Sequence, residues 1–371
     1  MAVKIVRQMN KIAVLGAPMS AAALASGSEG APSALRSAGL LSKLHAIGYD
    51  VNDLGDDPPQ VFQEDNESPR ARNLKPALKG LEALKPRIEI AAKSGALLLI
   101  LGGGCSIALA TVAGLRRYFR HVSVIYIDAD ADLQTPATTT SGCADGMVVS
   151  HLVGRGASEM VRFWGEPPLV REPDLALFGV SRLDPAEEQT LQTSPLRRYL
   201  AEDIRRKTPT KSASEAIERV HGDAHEFVLH LDVDAIEGFQ ATDFPATSGL
   251  NWEELRQAFE VFMAQKHLAA IEVTGYNPSR DSDGTGAKKI IDFLVEALAT
   301  RKEKAKDFAA PAAESAGKAV PSPAETAMPV AEPGQAWSSD MLDGAEPTSE
   351  DESLSENRSA AEAFEPEEPH S

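Results

Sequence analysis

"HVSVIYIDADADLQTP", residues 121–136, decides the fold. A run rich in β-branched and aliphatic residues ends abruptly in aspartates at alternate positions: Asp128, Asp130 and Asp132. In an extended chain alternate residues point the same way, so these carboxylates crowd one side of a strand end. Burying like charges together is costly unless a cation sits between them. The stretch therefore predicts an apolar, doubly covered strand whose carboxyl end carries a cation site.

Outward from this strand, short apolar runs alternate with longer amphipathic ones. "KIAVLGAP", "ALLLILGGG", "DLALFGVS", "EFVLHLDVD" and "LAAIEVTGYNP" read as strands; "LKPALKGLEALKPRIEIAAKSG", "NWEELRQAFEVFMAQ" and "GAKKIIDFLVEALATRK" read as helices. That alternation predicts a three-layer α/β/α domain on a mainly parallel sheet. In such sheets ligands bind beyond the carboxyl ends of the strands, which is where the unusual polar residues fall.

A second pair, Asp232 and Asp234, repeats the alternate spacing after "EFVLHL". If the two strands are neighbours, all these carboxylates converge, and repulsion forces either protonation or a compensating ion. Oxygen-only clusters suit hard divalent ions such as manganese, magnesium or calcium, and two ions sharing a water would satisfy both strands. Taken alone, "DVD" is more often turn chemistry.

The composition bounds the partners. Residues 302–371 hold 16 acidic and 5 basic side chains, a net of −11 out of the chain's −18. The remainder is only modestly acidic and shows no basic patch, so nucleic acid and anionic membrane are not expected as partners. The stretch 301–371, rich in Ala, Pro, Ser and Glu, reads as a disordered tail behind a domain spanning 1–300. Two cysteines, Cys105 and Cys143, and no apolar run of membrane-spanning length fit a disulfide-free cytoplasmic protein. The N-terminal apolar stretch, broken by Gly16 and Pro18, reads as a first strand rather than a signal peptide.

The order "GGGCS", "DADADLQTPATTTSGCADG", "LFGVSRLDPAEE", "HLDVDAIEG", "EVTGYNPSRD" resembles the arginase and agmatinase (ureohydrolase) family over roughly residues 10–300. The resemblance implies a binuclear manganese site that hydrolyses a small guanidino compound, in a homo-oligomer, a trimer or hexamer. Carried over by position, Asp128, Asp132, Asp232 and Asp234 match metal ligands, with Cys105 and Asp130 standing at the positions of ligand histidines. Gln134, Ser141, Asp184 and Glu187 match substrate-side positions, and Asp145 stands where the family has a proton-carrying histidine.

The departures bear on function. Gly275 replaces the Glu that pairs with the substrate guanidinium, and Glu272 lies at an odd offset on the other face of the strand. Asp145, with an unperturbed pKa of about 3.9, is too acidic to donate a proton near neutrality. Of the histidines, His230 precedes Asp232 by two residues and reads as a satisfied core residue. Cys143 reads as a loop residue. Two functions stand on these residues: a metal-dependent hydrolase of C–N bonds in linear amidines with doubtful arginase activity, or an impaired relative that keeps the fold for assembly or regulation. A deacetylase on a related fold is disfavoured because its histidine pairs are missing. Restoring Glu at position 275 is expected to raise urea release from arginine if the metal pair is intact.

Overall fold

The computed structural model describes residues 5–221 and 226–308. Its centre is a sheet of eight parallel strands: β1 (Lys11–Ala17), β2 (Asp50–Asp56), β3 (Leu97–Gly102), β4 (Val122–Ile127), β5 (Leu175–Val180), β6 (Arg197–Leu200), β7 (Glu226–Asp232) and β8 (Leu268–Thr274). Their spatial order is β2-β1-β3-β8-β7-β4-β5-β6.

Strands β3, β4, β5 and β8 are buried along their whole length, because helices cover both faces. Alternate residues of one strand enter two separate cores. Ile125 and Ile127 pack into one with Phe259, Phe262 and Ile291 from the helices Trp252–Met263 and Thr285–Phe308. Val124 and Tyr126 pack into the other with Leu81, Leu84 and Ile88 from the helix Leu74–Lys93. This is the three-layer α/β/α arrangement that the alternating runs predict.

Strands β2 and β6 are not apparent from hydrophobic runs. Both are edge strands, and "DVNDLGD" and "RRYL" are polar because each has a neighbour on one side only. The boundary placed at residue 300 also needs correction. The last helix continues through it to Phe308, and Arg301 is buried, its guanidinium donating to the carbonyls of Met263 (3.0 Å) and Gln265 (2.8 Å). A charged run reads as solvated, yet this cation is drawn in by the carbonyls at the end of another helix. The rest of the expected acidic tail, beyond residue 308, lies outside the described residues.

Candidate metal and substrate site

The adjacent strands β3, β8, β7, β4 and β5 deliver the polar residues to one place. In-register pairing of Ile127 with Leu231 brings Asp128 alongside Asp232, as the spacing of the two aspartate clusters predicts for neighbouring strands. A cavity of about 570 Å³ opens over these strand ends, and every candidate site residue named from the sequence lines it.

The carboxylates are not equivalent. Ligand atoms of Asp128, Asp232 and Asp234 lie within 4.8 Å of one another, and all three residues are buried. In each pair the first aspartate also accepts from the backbone N–H of the second, at 2.8 Å both for Asp128 with Asp130 and for Asp232 with Asp234. Turn chemistry and convergence therefore coexist. Burial, then the charges of Asp234 and Asp132, push the Asp128 carboxyl well above the ordinary range. Burial and the charge of Asp232 outweigh the opposing Arg182 and push Asp234 up to about 7. With no cation present the cluster must hold protons; a divalent ion removes that cost, so the donor set fits one.

Asp132 and Asp130 have other partners. Tyr126 donates its hydroxyl to Asp132. Asp130 receives Nε (2.9 Å) and Nη2 (2.7 Å) of Arg182, whose Nη2 also reaches Asp234. The Arg182 guanidinium thus bridges Asp130 and Asp234, two of the aspartates expected to converge. Burial pulls the pKa of Arg182 down, but Asp234 and Asp130 outweigh it and hold the pKa above its usual value.

Cys105 donates its thiol to Asp232 at 2.8 Å, with Asp128 at 3.9 Å. Burial and these carboxylates keep the thiol protonated, well above its usual pKa. Gly104 is required beside it: a Cβ there would stand 2.0 Å from an oxygen of Asp145. Asp145 is half-buried and accepts from the Ser106 N–H at 2.9 Å. Burial outweighs that hydrogen bond and pushes Asp145 up to about 6, above the ordinary aspartate value assumed from the sequence.

On the substrate side, Gln134 Oε1 is buried with no hydrogen-bond partner, and Ser141 accepts the Cys143 N–H at 3.2 Å. Asp184 and Glu187 line the cavity but also form a capping box on the helix Pro185–Thr193. The "DPAE" pattern already announces that cap. Burial raises Glu187 to about 7. Cys143 is more than a loop residue, since it lines the cavity while donating to the Ala22 carbonyl. Phe244, 47% exposed, supplies an apolar rim.

Beneath lies a layer of which the sequence reading foresees only His230, as a satisfied core residue. Tyr126, His230 and Glu272 are register partners across β4, β7 and β8, all fully buried. Tyr126 stacks on His230 at 4.2 Å, and His230 Nδ1 meets Glu272 Oε2 at 2.7 Å. Tyr126 and His230 each precede a cavity aspartate by two residues, so the strand period places them on its face. That offset was the available signal.

The fold and site define an α/β protein with a carboxylate-rich, metal-competent cavity at its strand ends. The chain belongs to the arginase family, whose sequence model matches residues 10–299. The arginase of Bacillus caldovelox is 29% identical over 291 residues, covering 77% of this chain and 97% of that protein. Human arginase-1 is 30% identical over 274 residues, covering 72% and 85%. Among solved structures, the arginase of Bacillus cereus superposes with a TM-score of 0.71 at 27% identity, over 78% of this chain and 98% of that one. The family is one of hydrolases. Among the described residues no helix is long and apolar enough to cross a membrane.

Proposed function

We propose that this chain is a metal-dependent hydrolase of C–N bonds in a small guanidino or amidino compound, and that arginine is a poor substrate. The observation that carries the reading is the convergence of Cys105, Asp128 and Asp232 in a cavity that also holds Asp145. Asp128, Asp232 and Cys105 are the residues that would hold a divalent ion, manganese being the ion the resemblance suggests; when bound, such an ion supplies a nucleophilic water at neutral pH.

The chain's own groups account for the rest. Gln134 Oε1, left without a partner, is available to a substrate N–H, and Ser141 offers a hydroxyl nearby. Asp145, pushed up to about 6, is the group we assign to pass a proton to the leaving amine. Specificity for arginine is opposed twice. No carboxylate stands at Gly275 to pair with a guanidinium, and the cavity already contains the guanidinium of Arg182.

The test is a screen of guanidino and amidino compounds for urea or ammonia release by the metal-loaded protein. Turnover of an amidino compound with little of arginine is expected. No turnover by a metal-loaded protein would favour the second reading, an impaired relative kept for assembly, which the engagement of Asp130 and Asp234 by Arg182 supports. Light scattering on the same sample checks the homo-oligomer.

A further inference from the structure

We propose that this chain holds a single divalent ion, on Cys105, Asp128, Asp232 and His230, and that the Arg182 guanidinium takes the place of a second ion between Asp130 and Asp234. This deepens the hydrolase reading by specifying the ion of the same site.

Two observations divide the cavity floor. On one side, Arg182 Nε and Nη2 engage both oxygens of Asp130, Nη2 also engages Asp234, and Nη1 donates to the Phe244 carbonyl at 2.8 Å. A planar guanidinium clamped this way already supplies one positive charge to that pair of carboxylates and occupies the space between them. A cation entering there would have to expel it.

On the other side, among the described residues, no arginine or lysine hydrogen-bonds to the donors. Ligand atoms of Cys105, Asp128 and His230 lie within 4.8 Å of one another, and Asp232 contacts the Cys105 thiol. His230 is oriented for ligation. Its Nδ1 faces the buried Glu272 carboxylate at 2.7 Å, the kind of partner that orients a metal-ligating imidazole, which leaves Nε2 as the nitrogen to face an ion. Tyr126 fixes the ring plane by stacking at an interplanar angle of 5°. The Nε2 neighbour is Thr274 Oγ1 at 3.2 Å, and that hydroxyl has a second acceptor in the Leu231 carbonyl at 3.3 Å, so it can turn away and free Nε2. Cys105, Asp128 and Asp232 line the cavity while His230 lies beneath it, which leaves the substrate side open.

The donor chemistry selects the ion. One thiolate and one imidazole among carboxylates favour a borderline ion such as zinc or cobalt over manganese, which prefers an all-oxygen set. Charge leans the same way, since Arg182 offsets part of the charge of Asp130 and Asp234 while a divalent ion would offset part of that on the thiolate and the remaining aspartates.

The experiment loads the full chain with cobalt(II) and measures metal per chain by elemental analysis together with the near-ultraviolet absorption. One cobalt per chain is expected, with a thiolate-to-cobalt charge-transfer band that Cys105→Ser removes. Glu272→Gln should weaken cobalt binding by about 10- to 100-fold through His230, while Asp130→Asn should leave one ion per chain. Two ions per chain, no ion, no charge-transfer band, or loss of the ion in Asp130→Asn overturns the proposal. If Cys105→Ser does not fold, the stoichiometry and the band of the unaltered chain decide. These readouts are independent of turnover: an inactive chain with one ion upholds this inference while the hydrolase reading fails, and an active chain with two ions does the reverse.

Discussion

The guanidinium of Arg182 bridges Asp130 and Asp234, carboxylates from the ends of two neighbouring strands, β4 and β7. It holds the rim of the cavity together, and removing it leaves two carboxylates facing each other. Breaking a buried pair costs about 3–5 kcal/mol, but the side chain of Arg182 is 32% exposed, so about 1–3 kcal/mol is expected for Arg182→Met in chelator at pH 7. The sign with pH follows from Asp234, whose folded pKa is already raised to about 7 and rises further without the cation. A carboxyl raised on folding binds more protons folded than unfolded, so stability falls as pH rises from about 4 to 7. The deficit of the variant should therefore shrink at pH 5. Urea unfolding at both pH values measures it, and an equal or larger deficit at pH 5 contradicts the assignment.

Gly275→Glu should fail to create arginase activity, contrary to the expectation from sequence. Gly275 has φ of +75°, a conformation that favours glycine, and a Cβ there would stand 2.0 Å from Asp232 Oδ1. Even Gly275→Ala must displace the Asp232 carboxylate. Both variants should lose metal affinity and about 1–3 kcal/mol of stability. Urea release from arginine above that of the unaltered chain by Gly275→Glu would refute this.

His151 should make the fold acid-sensitive. It is buried, neither ring nitrogen has a hydrogen-bond partner, and burial lowers its pKa to about 4. The unfolded chain takes up a proton near pH 6.5 and the folded chain does not, so stability falls as pH drops from about 6.5 towards 4. Linkage gives about 2 kcal/mol between pH 7.5 and pH 5. His151→Leu, similar in volume and without polar atoms, should flatten that part of the pH–stability curve, as calorimetry at the two pH values can show.

Arg301→Ala should destabilise the body. The variant strips the carbonyls of Met263 and Gln265 of their buried donor at the end of the helix Trp252–Met263. Each buried acceptor left unsatisfied costs about 1–3 kcal/mol, and the charge near a helix C-terminus adds less than about 1 kcal/mol. A melting temperature within a degree of the unaltered chain would show that water replaces the guanidinium.

What the sequence disclosed and what it withheld divide along physical lines. Inner strands are legible because both faces are covered and every residue is apolar, as in "VSVIYI". Edge strands β2 and β6 are not, because one side lacks a neighbour and polar residues are tolerated. Which aspartates share a cavity was readable from strand-end spacing. How they divide was not, since that depends on Arg182 arriving from the end of β5 and on Glu272 meeting His230 from a strand some forty residues later. Glu272 was correctly excluded from the cavity lining, yet its face of β8 gives it a partner instead.

Asp145 should act as the proton donor, and its surroundings explain why an aspartate suffices. The Ser106 N–H holds one oxygen and the missing side chain of Gly104 makes room for the other, so the carboxyl is drawn into the cavity wall. Burial then raises its pKa to about 6, above the ordinary aspartate value near 3.9. A general acid works in its protonated form, which is present below about pH 6 and disappears as pH rises through it. For a compound that the protein turns over, kcat should therefore fall on the alkaline side of about pH 6. Asp145→Asn should lower kcat by about 10²- to 10⁴-fold, leave KM within a few-fold and abolish that limb, because the amide cannot release a proton. A pH profile in which Asp145→Asn keeps both the rate and the limb would assign the proton to another group, and Glu187, raised to about 7 on the same cavity wall, is the next to replace.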